Sequence, residues 1–152
     1  KMIDQAFKER LEAVSLADLL NGLSNELLMS IVKNSKLEYY DDGEDIFWEG
    51  EENPNLYLIL DGNAAVDKKS PHGWSGTISI VGKGDFIGEE NIGLGNISTV
   101  TVEAVLGDIV VYKFPLKKWN EYLQRYPQLS ERMIVRLNRK IDQLRNMIIS
   151  LG

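Results

Sequence analysis

The sequence predicts a mainly β fold, a sandwich, barrel or jelly roll, with helices before and after it. Three observations carry that expectation. Between positions 36 and 114 the chain is a succession of short runs rich in Val, Ile, Tyr, Phe and Thr, separated by Gly, Asp, Asn and Pro. On either side, apolar residues recur at helical spacing instead of alternating. The last helix carries a repeat of its own, Ile134, Leu137, Ile141, Leu144, Ile148 and Leu151, spaced alternately three and four residues apart.

Ile3, Phe7, Leu11 and Val14 share one face of an expected first helix. A second is expected after Leu23, with Ser24 capping its first amides, Leu27, Leu28, Ile31 and Val32 as its apolar stripe, and an end near Asn34 or Ser35. Eight strands are then expected, at 37–41, 45–49, 55–60, 64–69, 76–81, 86–87, 99–105 and 109–114. Their separators hold Gly43, Gly50, Gly62, Gly84 and Gly107, expected where hairpins reverse, because glycine accepts positive φ without a steric penalty. The 99–105 segment alternates most clearly, with Val100, Val102 and Ala104 on one face and Thr99, Thr101 and Glu103 on the other. Helix resumes after Phe114. Pro115 suits a first turn, Leu116, Trp119 and Leu123 line one face, and Pro127 ends that helix. The expected division is N-terminal helices over 1–35, a β core over 36–114 and C-terminal helices over 115–152, together one domain.

In the terminal repeat, isoleucine occupies every a position and leucine every d position, a combination that favours a parallel two-stranded coiled coil. A helix lying on its own β core would need a broader apolar stripe. These six residues are therefore expected to form the seam of a parallel homodimer.

Composition excludes several classes of function. A chain of 152 residues supports one well-buried core, and no run approaches the ~20 apolar residues of a spanning helix, so no membrane partner and a cytoplasmic location are expected. With no cysteine there are no disulfides, thiolate zinc sites or cysteine nucleophiles. The single histidine, His72, falls in an expected hairpin loop and leaves neither a multi-histidine metal cage nor an acid-base triad. Asp41, Asp42, Glu44, Asp45, Glu49, Glu51 and Glu52 flank two turns without the alternating ligand spacing of a calcium loop, and read as solvated acids. Beyond Ser130, Arg132, Arg136, Arg139, Lys140 and Arg145 outnumber Glu131 and Asp142, so the net charge of −6 belongs to the body. An acidic body disfavours direct contact with nucleic acid.

The segments Tyr40-Asp41-Asp42-Gly43-Glu44-Asp45-Ile46-Phe47, Glu49-Gly50-Glu51, Leu56-Tyr57-Leu58-Ile59-Leu60-Asp61-Gly62, Gly84-Asp85-Phe86-Ile87-Gly88-Glu89 and Thr101-Val102-Glu103-Ala104 resemble the cyclic nucleotide-binding domain family. The resemblance covers about residues 16 to 150. The terminal helix extends it to the sensor domains of catabolite-activator (Crp/Fnr-type) transcription regulators, which dimerise through such a helix. What it implies is an eight-stranded jelly roll (β-roll) with N-terminal helices and a long C-terminal dimerisation helix.

In that family the stretch matching Gly88 to Thr101 is the phosphate-binding cassette, which begins at a short helix whose free N–H groups attract the cyclic phosphate. A Glu there accepts hydrogen bonds from the ribose 2′-OH, and a later Arg pairs with the phosphate. Glu89 matches the Glu. With Thr101-Val102-Glu103-Ala104 in register, Ser98 stands at the position of the Arg and Thr99 at the small residue after it. No Lys or Arg occurs from Gly84 to Tyr112, and Glu90 and Asn91 replace the usual apolar residues. The ligand-binding residues implied are Gly88, Glu89, Glu90, Ser98 and Thr99. Charge-assisted hydrogen bonds contribute about 1.5–3 kcal/mol each, so weak cAMP binding is expected.

The expected function is a ligand-sensing regulatory module of a transcription regulator, with a cyclic nucleotide as the possible cofactor and no enzymatic activity. The alternative is a structural dimerisation or protein-interaction module with a degenerate, empty pocket. A cupin-type metalloenzyme on a similar roll would need several histidines. The expected partners are a second copy of the chain and a small-molecule effector. DNA is expected only through an output domain absent from this chain.

Overall fold

The computed structural model describes residues 19–69, 75–88 and 96–151, with backbone alone at 140, 144, 147 and 151. The helix expected from Ile3 to Val14, His72, Glu89, Glu90 and Asn91 lie outside the described residues, as do the side chains of Leu144 and Leu151.

Ser24 has extended backbone, and its Oγ accepts a hydrogen bond from the Leu27 N–H at 3.3 Å, satisfying a first-turn donor that helix geometry leaves without a partner. Helix α1 (Asn25–Asn34) buries Leu27, Leu28, Ile31 and Val32, the expected stripe, and stops where Ser35 turns extended. The chain then enters β1 (Lys36–Tyr40), β2 (Asp45–Phe47), β3 (Asn55–Lys69), β4 (Ser75–Val81), β5 (Phe86–Ile87) and β6 (Thr101–Pro115). All pairings are antiparallel, in the order β1-β6-β3-β4, with β2 also on β6 and β5 also on β3.

Among the described residues, six continuous strands account for the eight expected segments, because β3 and β6 each run through two of them. The first half of β3 pairs with the second half of β6, flanked by β1 and β5. The other two halves pair with each other, flanked by β2 and β4. Gly62 and Gly107 therefore mark bends within strands, and the reversals expected at them are corrected. Between the pairs Asp61↔Val110 and Asn63↔Val105 the register shifts, and β6 takes up the extra residues with Leu106 at φ 61° and Gly107 at φ 125°. A bulge and a hairpin both call for positive φ, so the local sequence reads alike in either case.

Strand alternation sorts the apolar residues into two cores. Tyr57, Ile59, Ala64, Val102, Ala104, Ile109 and Val111 face the interior of the roll with Ile46, Phe47 and Val100. Leu56, Leu58, Tyr112 and Phe114 face outward, onto α1 and the C-terminal helices. Pro115 ends β6 and caps α2 (Leu116–Arg125) instead of lying within its first turn. Trp119 of α2 is fully buried, 5.6 Å from the Phe86 ring and 6.2 Å from that of Phe114 between centroids. Pro127 then opens α3 (Pro127–Leu151), a position where its missing N–H breaks no bond. Among the described residues no helix is long and apolar enough to cross a membrane.

Candidate ligand-binding site

The two ends of the cassette are held by one short segment, residues 50–55. At the near end Gly88 has φ 97°, and a Cβ there would lie 2.9 Å from the Asn55 carbonyl oxygen, so only glycine brings the backbone this close. At the far end the Gly50 N–H donates to Ser98 O at 2.8 Å, Ser98 N–H to Glu51 O at 2.9 Å, and Asn53 N–H to Asn96 O at 2.6 Å. Glu52 and Ile97 form an isolated antiparallel bridge within this pairing. Asn96 reaches it with φ 64°, a left-handed conformation that asparagine tolerates better than most residues.

Of the expected site residues, the structure places Gly88, Ser98 and Thr99 around this clasp. Glu89 and Glu90 are outside the described residues. Ser98 is only 2% exposed. Thr99 is partly buried, and its carbonyl accepts a hydrogen bond from Lys68 Nζ at 2.6 Å. The same ammonium lies 3.4 Å from Glu49 Oε1. Glu49 is itself fixed: its N–H donates to Thr101 Oγ1 at 2.9 Å, and its carboxylate accepts from the Lys69 N–H at 3.3 Å.

Two of these residues were not picked out from the sequence. Lys68 was available from strand parity, because it shares a face with Ala64 and Val66, which pack into the roll interior. Asn53 had no such signal. It is 4% exposed, its Oδ1 accepts from the Asn55 N–H at 3.3 Å and from Tyr57 Oη at 3.4 Å, and its Nδ2 has no hydrogen-bond partner among the described residues. A Cβ on Gly88 would be 3.8 Å from that nitrogen, so the orphan donor sits against the start of the cassette. Burial, followed by the charge of Glu38, pushes the Tyr57 hydroxyl up to about 12 and keeps it a neutral donor. Among the described residues no group of three His, Cys, Asp or Glu side chains converges on a metal position.

The terminal helix meets the roll immediately before the cassette. Arg136 of α3 donates from Nη2 to the Phe86 carbonyl at 3.2 Å, and its guanidinium carbon lies 6.0 Å from the centre of the Phe86 ring. Arg132, one turn earlier, holds the carbonyls of Leu19 and Asn21 at 3.2 and 2.5 Å. Further along, Gln143, Asn146 and Ser150 face Ile78 of β4 across an open cleft of about 440 Å³.

A family model described as the cyclic nucleotide-binding domain matches residues 37–126, from β1 to the end of α2. The chain belongs to the cyclic nucleotide-binding domain family. Within that family it is similar to a CRP-like cAMP-activated global transcriptional regulator of Mycobacterium tuberculosis, at 24% identity over 143 residues. The match takes in 92% of this chain and 62% of that regulator, so the chain spans less than two thirds of its relative's length. The fold is that of the catabolite activator protein of Thermus thermophilus (TM-score 0.75, 20% identity, 88% of this chain and 62% of that one). It is also that of the regulatory subunit of a cAMP-independent protein kinase A from Trypanosoma cruzi bound to guanosine (TM-score 0.72, 21% identity, 82% and 43% covered). As a member of the cyclic nucleotide-binding domain family the chain is a regulatory domain.

Proposed function

We propose that this chain is the effector-sensing module of a Crp/Fnr-type transcription regulator, in which occupancy of the cassette is relayed to α3 and through it to an output domain. One observation carries the reading. Arg136 ties α3 to the carbonyl of Phe86, two residues before Gly88, so a change at the start of the cassette acts directly on the terminal helix. A relay of this kind needs only a differential contact between two states of one element.

The cassette is atypical. Ser98 stands where the family carries its phosphate-pairing Arg, and Lys68 is already neutralised by Glu49. The ligand site proposed comprises Gly88, Glu89, Glu90, Ser98 and Thr99, and it binds cAMP weakly for want of a cation. That a relative of the same fold is named cAMP-independent and holds guanosine supports such a pocket as a working variant of the family. Calorimetry tests this reading. The native chain should show weak cAMP binding, and Ser98→Arg should strengthen it by about 10² to 10⁴, the contribution of a bidentate charged pair. A thermal melt checks that the buried substitution leaves the roll folded. Micromolar cAMP binding by the native chain would overturn the reading of the cassette.

A further inference from the structure

Asn53 is the residue at which the two ends of the cassette meet. Its main-chain N–H donates to the Asn96 carbonyl at the far end, and its side chain reaches the near end, with Nδ2 3.8 Å from the place a Cβ would take on Gly88. One residue touches both.

Which edge of the amide faces Gly88 is decided by its partners. Two donors, the Asn55 N–H and the Tyr57 hydroxyl, converge on one terminal atom of the side chain, and only an oxygen can accept from both. The NH₂ edge is thereby turned to the cassette. Tyr57 can hold it there because the tyrosine is itself fixed: its main chain pairs with Ile87 and Lys113, and its ring stacks on Phe47 inside the roll at 5.6 Å. Burial, followed by the charge of Glu38, pushes its hydroxyl up to about 12, so it remains a donor at any neutral or mildly acid pH. The roll interior sets the direction of a donor at the start of the cassette.

That donor adds nothing to stability where it stands. Nδ2 is buried with no hydrogen-bond partner among the described residues, and a buried donor left unmatched is a cost to the fold. It is available to an acceptor at the cassette, and nothing among the described residues uses it.

We infer, resting on the cassette reading above, that Asn53 is the positioning residue of the ligand site: its main chain ties the far end of the cassette, its amide presents a neutral donor to the near end, and effector binding depends on that donor.

Two measurements on the full chain test this. The first needs no ligand. In Asn53→Leu the segment loses its tie to Tyr57, so hydrogen-exchange protection of the Gly50 and Ser98 amides should fall by about tenfold, while that of the Ala104 amide, bonded to Glu44 O, is unchanged. The second is calorimetry with cAMP in the Ser98→Arg chain, each added variant being compared with Ser98→Arg alone at the same pH. Asn53→Asp keeps an acceptor for Asn55 and Tyr57 but removes the donor, and should weaken cAMP by about tenfold or more at about pH 8. Burial raises the introduced carboxyl above its ordinary value of about 3.9, so towards about pH 5 it takes up a proton, donates where the amide did and recovers affinity. Asn53→Leu, with neither donor nor charge, should bind weakly at both pH values. Thermal melts check that each variant is folded. Unchanged protection at Gly50 and Ser98 would overturn the positioning role. Full cAMP affinity in Asn53→Leu, or a loss in Asn53→Asp that ignores pH, would overturn the use of the donor. A Ser98→Arg chain that fails to bind cAMP would overturn the cassette reading, with the exchange measurement still deciding whether Asn53 frames the two ends.

Discussion

At Gly62 the backbone has φ 94°, and a Cβ would fall 2.5 Å from the Asp108 carbonyl oxygen and 3.0 Å from Ile109 Cα. Gly43 has a similar φ of 86° with nothing within 4 Å. The two positions separate conformational strain from collision. Gly43→Ala should lose about 1–2 kcal/mol, the left-handed penalty alone, and Gly62→Ala clearly more, read as the shift in urea midpoint. Equal losses would show that β6 gives way freely at its bulge. Two tyrosines make a second prediction. Tyr57 is pushed up to about 12 by burial, and Tyr40 is raised further by burial and by its hydrogen bond to Glu38. Above the ordinary tyrosine value of about 10, the unfolded chain loses these protons while the folded chain keeps them, so stability falls as pH rises from there through about 12. Urea midpoints measured from pH 8 upward should fall steeply for the native chain and less steeply for Tyr40→Phe, Tyr57→Phe. A slope identical in the two proteins would place the alkaline loss elsewhere.

Helix α3 is the element whose pattern reaches beyond the chain. Ile134, Ile141 and Ile148 are 60%, 47% and 69% exposed, and Leu137 is partly buried, so the repeat presents apolar residues that the roll does not cover. The seam proposed from that repeat, completed by Leu144 and Leu151, should hold a parallel homodimer. Light scattering on the order of tens of micromolar chain should give the mass of two copies, and Ile141→Asp, Leu144→Asp that of one. A monomeric native chain would remove the seam. The repeat was legible because it is local and periodic. The arginines that fasten the same helix to the body were not, since in the sequence Arg132 and Arg136 are only two of the basic residues that outnumber the acids beyond Ser130, and their contacts depend on where the helix crosses Leu19, Asn21 and Phe86.

For the molecule as a whole, what the sequence disclosed follows the distance over which each signal acts. Ser24 as a cap, the stripe of α1 and the alternation of Val100, Val102 and Ala104 are short-range patterns, and each stands where they put it. The fusion of strand segments into β3 and β6, and the clasp of residues 50–55 on residues 96–98, depend on partners far apart in the chain and leave no local mark. Ser98 could be matched to a missing cation by register, but the Lys68–Glu49 pair could be found only after the strands were assembled. The long pairing of β3 with β6 has one more consequence. It joins Asp67 to Thr101 and so closes everything between them, the cassette included, into a single loop returned to its starting point. The closure entropy of a flexible loop grows only with the logarithm of its length, about 0.6 kcal/mol for each doubling. Insertions and deletions between its two anchored positions, Gly88 and Asn96, should therefore perturb the frame only mildly, and descendants of one scaffold are free to exchange ligand chemistries while keeping the contact of Arg136 with Phe86.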